Sequence, residues 1–290
     1  MIVSARTRAL GAMDVQRLLP YARRRSVGPF VFFDHFGPQT ISPGAPADVR
    51  PHPHVGIATV TYLYDGELVH RDSLGSVQPI RPGELNLMIA GTGIVHSERL
   101  PPILRHRAHR SHGLQLWLAL PAEHEDMAPS FAHYPTTDFP EFFVQGAEAR
   151  LLMGSAWGRT SPVRFPAQTL YADLHLSERG DLTLPDAPER GVYVIDGEVS
   201  CGGAKAVEGE LMIFADGADI TIHAPIDAHL VLIGGEPIDG PRYMWWNFVA
   251  TTNQRIEQAK QRWLENRFDP IPGDNEDATP LPVSRTTQRR

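Results

Sequence analysis

The sequence has almost no cysteine. Cys201 is the only one among 290 residues, so the chain can form no internal disulfide and no zinc site built from several thiolates. Stability must therefore come from a buried apolar core, which a chain of this length can supply in one large domain or two of ordinary size. A chain without disulfides suits the reducing interior of a cell.

The sequence also lacks an excess of positive charge. It has 27 Lys and Arg residues against 34 Asp and Glu residues, which gives a formal net charge of -7. Because nucleic-acid-binding domains are usually basic, we predict no direct nucleic-acid partner. Small molecules, or another protein, are the expected partners.

Long hydrophobic runs are missing as well. No stretch approaches the roughly 18 apolar residues of a membrane span, and Met1 to Arg8 carry charge where a signal peptide needs an apolar segment. These absences predict a cytoplasmic protein without membrane attachment.

Two widespread enzyme motifs are absent or incomplete. Gly91-Thr92-Gly93 begins like a dinucleotide-binding fingerprint, but the third glycine and the following helix are missing. No Gly-x-Ser-x-Gly elbow occurs, and Cys201 has no evident catalytic partner. Nucleotide-dependent chemistry and serine or cysteine hydrolysis are therefore not indicated.

What the sequence does contain is a succession of short β patterns separated by turns. The segment from Ile57 to Leu68 is rich in β-branched and aromatic residues and breaks at Asp65-Gly66, which predicts a hairpin. The segment from Val192 to Val199 repeats that pattern around a second Asp-Gly pair, and Gly209-Glu210-Leu211 repeats Gly83-Glu84-Leu85. Two repeats in the same order predict an all-β chain with an internally duplicated barrel or jelly roll.

One helix is predicted near the C-terminus. Residues Gln254 to Arg267 show a helical period, and Thr252 or Asn253 could cap the start. The last segment, Asp269 to Arg290, is rich in Pro, Asp and Thr, which predicts an extended or flexible tail.

Two pairs of metal-type ligands stand out in the first repeat. His52 and His54 are one residue apart, as are His96 and Glu98, and side chains two apart point to the same face of a strand. About forty residues lie between the two pairs, which is enough for a few strands that bring the second pair opposite the first. We predict a site of three histidines and one carboxylate inside the barrel, of a type that suits divalent iron, manganese, copper or zinc.

Interpretations in which these histidines bind no metal stay open at this point. His52 and His54 could be surface residues of a proline-rich loop, and the pair His70 and Asp72 could either orient a ligand imidazole or form a polar edge pair. The second repeat has no His-x-His at the matching place. Its histidines stand alone in the sequence and are expected to be ordinary surface or core residues; they are His175, His223 and His229.

Several short motifs are informative when taken together. They are Phe33-Asp34-His35-Phe36-Gly37-Pro38, His52-Pro53-His54, Thr59-Val60-Thr61-Tyr62, His70-Arg71-Asp72-Ser73, Ala90-Gly91-Thr92-Gly93-Ile94-Val95-His96-Ser97-Glu98 and Trp245-Trp246-Asn247-Phe248-Val249. In these motifs the sequence resembles the pirin family of the cupin superfamily. The resemblance is strong from about Val15 to Pro121 and looser from Leu170 to Trp263.

This resemblance implies a bicupin, in which two jelly-roll β-barrels pack together and a short C-terminal helix follows. The expected divisions are an N-terminal barrel with the metal site (1–135), a C-terminal barrel plus helix without metal (136–268) and the tail (269–290). By carry-over, His52, His54, His96 and Glu98 would hold one divalent ion. Fe(II) is the first expectation, with Mn, Cu, Ni, Co and Zn as alternatives.

The resemblance further implies an oxidoreductase similar to quercetin 2,3-dioxygenases, which would open a flavonol ring with O2 while Glu98 relays a proton. The alternative is a redox-sensing iron protein that docks a protein partner without turnover. The sequence departs from the family pattern at two positions, where Val55 replaces an Arg and Ala58 replaces a Glu. Without that Glu, we expect a less negative and more apolar pocket.

Overall fold

The computed structural model describes residues 1–10, 13–215, 217 and 219–282. The regular secondary structure of the described residues is almost entirely β-strand, as predicted, and two 3₁₀ turns (Ala122–His124 and Thr136–Asp138) interrupt the strands. The strands of the first half are β1 (Ile2–Ser4), β2 (Arg6–Leu10), β3 (Met13–Leu19), β4 (Phe30–Ile41), β5 (Val49–His54), β6 (Ile57–Asp65), β7 (Leu68–Asp72), β8 (Val77–Ile80), β9 (Leu85–Ile89), β10 (Ile94–Arg99), β11 (His109–Ala119) and β12 (Ser130–Tyr134).

The second half continues the same pattern and ends in one α-helix. Its elements are β13 (Glu141–Val144), β14 (Ala147–Met153), β15 (Ser155–Ala156), β16 (Arg159–Thr160), β17 (Thr169–Leu176), β18 (Gly180–Thr183), β19 (Glu189–Asp196), β20 (Glu198–Cys201), β21 (Ala204–Val207), β22 (Glu210–Ile213), β23 (Thr221–Ala224), β24 (Ala228–Gly235), β25 (Tyr243–Trp245), β26 (Phe248–Ala250) and α1 (Asn253–Leu264).

The strand order confirms the internal duplication. The first barrel has sheets β12-β9-β6-β11-β4-β3-β2 and β5-β10-β7-β8, and the second has β1-β22-β19-β24-β17-β14-β13 and β18-β23-β20-β21. The two lists correspond position by position, with β1 in the place of β12. The larger sheets face each other across one apolar cluster, to which the first barrel contributes Phe33 and Tyr62 and the second Tyr171 and Tyr193.

The two predicted Asp-Gly hairpins are wrong in one respect. Strands β6 and β7 do not pair with each other, because β6 lies between β9 and β11 in one sheet while β7 lies between β10 and β8 in the other. Gly66 turns the chain from one sheet to the next with φ +92°, and a Cβ there would lie 2.7 Å from the Arg110 carbonyl oxygen. The same corner recurs at Gly197, between β19 and β20.

The first strand and the C-terminal helix each pack against the opposite barrel. Strand β1 pairs with β22 of the second barrel. Helix α1 lies with Ile256 and Ala259 in an apolar cluster that includes Val95 of the first barrel. These contacts tie the two barrels together, while the division of the chain at residues 135 and 268 stays a prediction.

The helix begins at Asn253, one residue before the predicted start, and ends earlier than predicted. The Thr252 side chain accepts a hydrogen bond from the Arg255 backbone N–H, which caps the first turn. The helix stops at Leu264, three residues short of the predicted Arg267, and Asn266 adopts a left-handed conformation with φ +51°. Among the described helices none has the length and apolarity that a bilayer span requires.

The chain after the helix crosses the first barrel without regular secondary structure. Arg99 of β10 donates hydrogen bonds to the carboxylates of Asp274 and Asp277, and the Thr279 N–H donates to the Pro51 carbonyl at 2.8 Å. Residues 269–282 therefore run beside the strands that carry the predicted ligands. The remainder of the predicted tail, residues 283–290, lies outside the described residues.

Candidate metal centre

Three of the four predicted ligands meet inside the first barrel. Strands β5 and β10 are antiparallel neighbours with His96 directly opposite His52, and the alternation along β5 places His54 on the same inner face. One ring nitrogen from each imidazole lies within 4.8 Å of the other two, and the three residues are 8%, 1% and 1% exposed in the order His52, His54, His96. The cluster is thus a ready set of converging nitrogen ligands.

His52 and His54 each use ring atom Nδ1 for a hydrogen bond, so Nε2 of each ring is free to bind a metal ion. His52 Nδ1 lies 2.8 Å from the Arg50 carbonyl oxygen, and His54 Nδ1 lies 3.2 Å from the Asn247 carbonyl oxygen. A ring nitrogen that donates to a carbonyl fixes the neutral tautomer in which Nε2 carries the free lone pair. Both Nε2 atoms are therefore available to an ion.

His96 is oriented by a chain of buried groups. The Asp72 carboxylate accepts a hydrogen bond from His70 Nε2 at 2.9 Å, and His70 Nδ1 lies 3.5 Å from His96 Nδ1. This arrangement lets His70 accept the Nδ1 proton of His96. His96 Nε2 is buried and has no hydrogen-bond partner among the described residues, which is the environment expected of an atom that faces a metal ion.

The burial of His70 and Asp72 decides between the two interpretations of this pair. The side chains are 4% and 0% exposed, so they are not a polar pair at an exposed edge. Burial by itself would raise the pKa of Asp72, but hydrogen bonds from His70 and from Ser76 hold that pKa below its usual value. Asp72 therefore stays ionised and keeps His70 in the tautomer that orients His96.

Replacing Asp72 by asparagine is expected to weaken metal binding by about 10- to 100-fold, the usual cost of losing a group that orients a ligand. Asparagine can still accept the backbone hydrogen bonds of Leu74 and Ser76, but its amide would donate to His70 Nε2 and reverse the tautomer. The Kd for Fe(II), measured by competition with a chelator, checks this.

The matched control for that measurement is Asp181→Asn. Asp181 also pairs with a histidine at 2.9 Å, His223, but on the exposed surface of the second barrel. We expect the control to bind Fe(II) like wild type. Equal affinity in both variants would show that Asp72 does not orient a ligand.

Burial keeps the three imidazoles neutral. It lowers the pKa of His52 to about 4 and the pKa values of His54 and His96 well below their usual range, since a charged ring would be desolvated there. Protons therefore compete little with a metal ion for these nitrogens at neutral pH.

Glu98, the fourth predicted ligand, lines the same cavity but does not belong to the group of mutually close ligand atoms. Its carboxylate accepts a hydrogen bond from Thr61 Oγ1 at 3.1 Å, and the same hydroxyl lies 2.9 Å from Gln115 Oε1. Burial raises the pKa of Glu98 above its usual value, so the carboxylate binds a proton more readily than a solvated one. Coordination by Glu98 would require its carboxylate to move closer to the imidazoles.

The histidines open into a cavity of about 600 Å³ with aromatic walls. The rings of Phe32 and Trp117 stack at 4.0 Å between centroids, and the Arg17 guanidinium lies 4.4 Å above the Phe32 ring. Arg17 is itself held by two hydrogen bonds to Asp34. The size and the mostly apolar walls with a few fixed polar groups are typical of a small-molecule site.

The sequence did not indicate that the C-terminal segment contributes to this cavity. Trp246 and Asn247 form the turn between β25 and β26, reach across to the first barrel and line the cavity. Trp246 has a positive φ of +53°, which is uncommon for a bulky residue. The sequence marked this segment only as a family motif, and nothing in local spacing reveals a contact between Asn247 and His54.

The expectation that Val55 and Ala58 alter the pocket is wrong. Ala58 faces the cluster between the barrels, and Val55 packs in the cluster beneath helix α1. Neither residue lines the cavity. Because Gly56 turns the chain between β5 and β6, the side-chain alternation of one strand does not carry over into the next. The two departures therefore lie outside the residues that line the pocket.

The second barrel carries apolar residues where the first carries histidines. The strands that correspond to β5 and β10 are β18 and β23, whose paired inner positions are Leu182 and Ile222, both 0% exposed. The expectation that the histidines of this half stand alone is wrong for two of them: His175 and His229 stack at 4.0 Å between ring centroids, close to Asp173.

Comparison with known proteins agrees with this architecture. The family model described as Pirin matches residues 12–118, and the model described as Pirin C-terminal cupin domain matches residues 171–269. The chain belongs to the pirin family. As a pirin it is a bicupin, and the motif-based resemblance is confirmed.

Several relatives span nearly the whole pirin chain. A pirin-like protein of Caulobacter vibrioides is 42% identical over 97% of this chain and 99% of its own length. A Pseudomonas aeruginosa protein with the provisional name quercetin 2,3-dioxygenase is 40% identical over 97% of this chain and 90% of its own length. Human pirin is 30% identical over 84% of each chain.

Two solved structures illustrate the range of the fold. A crystal structure of quercetin 2,3-dioxygenase from Acinetobacter baumannii has a TM-score of 0.90 and 34% identity, and it covers 100% of this chain and 97% of its own. A bacterial pirin of Escherichia coli in complex with nickel(II) has a TM-score of 0.65 and 22% identity over 82% of this chain and 99% of its own. The second comparison supports the fold alone.

Proposed function

We propose that this pirin is an Fe(II)-dependent dioxygenase that acts on a flavonol-like substrate, such as quercetin, with O2. The observation that carries the proposal is the cluster of His52, His54 and His96 beside an aromatic cavity of about 600 Å³. His52, His54 and His96 would hold the ion, and the cavity would hold the substrate next to it.

The donor set fits a redox-active dication. Three neutral imidazoles suit Fe(II), as well as Mn, Co, Ni, Cu and Zn, and three protein ligands leave exchangeable positions on a five- or six-coordinate ion. When bound, the ion would supply acidification of a coordinated hydroxyl group and a redox partner for O2. Among these ions, one that changes oxidation state can serve as a redox partner for O2, and Fe(II) is the one proposed here.

The cavity walls fit a flat, hydroxylated ring system. Phe32 and Trp117 offer aromatic surface, and Trp246 adds a third aromatic ring to the lining. The Gln115 amide and the Arg17 guanidinium provide hydrogen-bond donors inside the cavity. This combination favours a polyphenol over an aliphatic or highly charged substrate.

Glu98 is the group best placed to take up the substrate's proton. Burial raises its pKa, which brings a carboxylate closer to the range useful for proton transfer near neutral pH. Thr61 donates a hydrogen bond to one carboxylate oxygen of Glu98, and Glu98 lines the cavity. In this assignment Glu98 is a proton acceptor beside the ion, and its role as a fourth ligand stays a prediction.

The relatives support the reaction class. The Acinetobacter baumannii protein named quercetin 2,3-dioxygenase aligns with all of this chain at 34% identity. The Pseudomonas aeruginosa relative carries the same activity as a provisional name. Sequence identity of this degree over full length supports a shared site more strongly than fold similarity does.

Oxygen uptake tests the proposal. The protein is stripped of metal, loaded with Fe(II) without air and mixed with quercetin and O2, and His52→Ala treated in the same way serves as the control. We expect consumption of O2 and loss of the flavonol absorbance with wild type alone. Uptake no greater than that of His52→Ala would contradict the proposal and favour the alternative of a regulatory iron protein.

A further inference from the structure

A second group of metal-type ligands lies at the cleft between the two barrels. Asp173 and His175 are two residues apart on β17, and His229 is paired directly with His175 on the neighbouring strand β24. The alternation of both strands places all three side chains on the face that meets the first barrel. One ligand atom of each lies within 4.8 Å of the other two.

The three proposed ligands differ in how much of each is exposed to solvent. Asp173 is 7% exposed, His229 is partly buried, and His175 is exposed at the mouth of a cleft of about 680 Å³. His229 Nε2 lies 2.7 Å from Asp173 Oδ1, and the His175 ring stacks on the His229 ring with 19° between the planes. An ion could therefore enter from solvent, and only the exposed ring would have to rotate.

The distance between Asp173 Oδ1 and His229 Nε2, 2.7 Å, is close to the separation of two ligands that share a metal ion. Two ligands at about 2.1 Å from a dication, separated by a tetrahedral or octahedral angle, are about 3.0 to 3.4 Å apart. The observed pair is a few tenths of an ångström closer, as expected when a shared proton holds it. A metal ion can replace that proton with little movement of the backbone.

The first barrel contributes a group that holds the carboxylate in place. Tyr64 Oη donates a hydrogen bond to Asp173 Oδ1 at 3.0 Å, so the aspartate is fixed from across the cleft. Arg150 lies opposite Asp173 on the neighbouring strand β14, and its guanidinium is engaged by Glu141 and by the Tyr62 hydroxyl. The cluster therefore keeps a carboxylate without a dedicated arginine or lysine partner among the described residues.

We propose that Asp173, His175 and His229 form a second site for a borderline transition-metal dication such as Zn²⁺, Co²⁺ or Ni²⁺. Two imidazoles and one carboxylate are a common ligand set for such ions, and the solvent-facing side leaves a position for water. The site is separate from the three-histidine cluster and involves none of its residues. It would fix the cleft between the barrels through the Tyr64 hydrogen bond to Asp173.

Zinc stoichiometry tests the second site. Metal-free protein is titrated with Zn²⁺ by calorimetry, using wild type, His175→Ala, His52→Ala and the double variant. We expect two, one, one and no equivalents respectively. His175 is exposed, so its replacement leaves the core intact, and a thermal unfolding curve recorded in chelator verifies the fold of each variant.

His223→Ala is the matched control. His223 Nδ1 lies 2.9 Å from Asp181 Oδ1, which reproduces the histidine–carboxylate pair without a third ligand. We expect this control to bind as many equivalents as wild type. The proposal is overturned if His175→Ala binds as much Zn²⁺ as wild type, or if His52→Ala and His52→Ala/His175→Ala bind the same amount. If wild type binds one equivalent and His175→Ala none, the second site stands and the three-histidine cluster fails.

Discussion

Replacing Glu98 by glutamine is expected to lower flavonol turnover by about 100- to 1000-fold while the bound iron stays in place. A general acid–base group typically contributes a factor of about 10² to 10⁴, and the amide of glutamine cannot accept the substrate's proton. Iron should remain because the three imidazoles form the close ligand group without Glu98. The measurement is the rate of O2 consumption per bound iron, together with iron content per chain.

Thr61→Val is the control for Glu98→Gln. It removes the hydroxyl that donates to Glu98 Oε1 and keeps the shape of the side chain and the charge of the carboxylate. We expect about a tenfold loss or less, because the base remains present. If Glu98→Gln loses its iron together with its activity, Glu98 is a metal ligand, as the sequence pattern predicts, and the separation of roles is wrong.

Replacing His96 by alanine is expected to remove the tightly bound iron altogether. The three-histidine set would fall to two ligands, and affinity should drop by more than the about 10- to 100-fold that follows from losing a group behind a ligand. The measurement is iron per chain after anaerobic loading and desalting. We expect close to one equivalent in wild type and almost none in His96→Ala.

His223→Ala controls for the general loss of a histidine, since His223 is exposed on the second barrel. It should retain iron like wild type. A thermal unfolding curve of metal-free His96→Ala separates loss of the ligand from loss of the fold, because the removed ring also leaves a cavity. Iron retained by a folded His96→Ala protein would contradict the assignment of the centre.

The fold could be inferred from local sequence because its signals are local. Alternating apolar residues and frequent turns define strands, and the repeat of the Asp-Gly corner and of the Gly-Glu-Leu segment defines the duplication. The pairing partners could not be inferred in the same way. Gly66 and Gly197 permit a hairpin and a corner equally well, and the sheet that receives the next strand depends on long-range packing.

In the candidate metal centre, too, local sequence predicts some features and misses those that depend on long-range packing. His52, His54 and His96 follow from the two-residue period of a strand, which the structure preserves within β5 and β10. The expectation at Ala58 came from the family pattern, and it failed because β6 places Ala58 in the apolar cluster between the barrels. The contact between His54 and the Asn247 carbonyl joins positions 193 residues apart, and no local pattern predicts such a contact.

The contact between His175 and His229 could not be predicted by considering each histidine in its own stretch of sequence. In the sequence they are 54 residues apart and each looks isolated. The pairing of β17 with β24 places them directly opposite each other, and the interbarrel face adds Asp173. Only the strand register brings these three residues together.

We propose that His52, His54 and His96 hold one metal ion beside the aromatic cavity. A crystal structure of the protein loaded with Fe(II) without air, with anomalous data collected at the iron edge, tests this assignment. We predict an anomalous peak about 2.1 Å from Nε2 of all three histidines, with the hydrogen bonds between Asp72 and His70 and between His70 and His96 intact. A loaded crystal without a peak at this cluster, or with iron bound only elsewhere, would contradict the assignment.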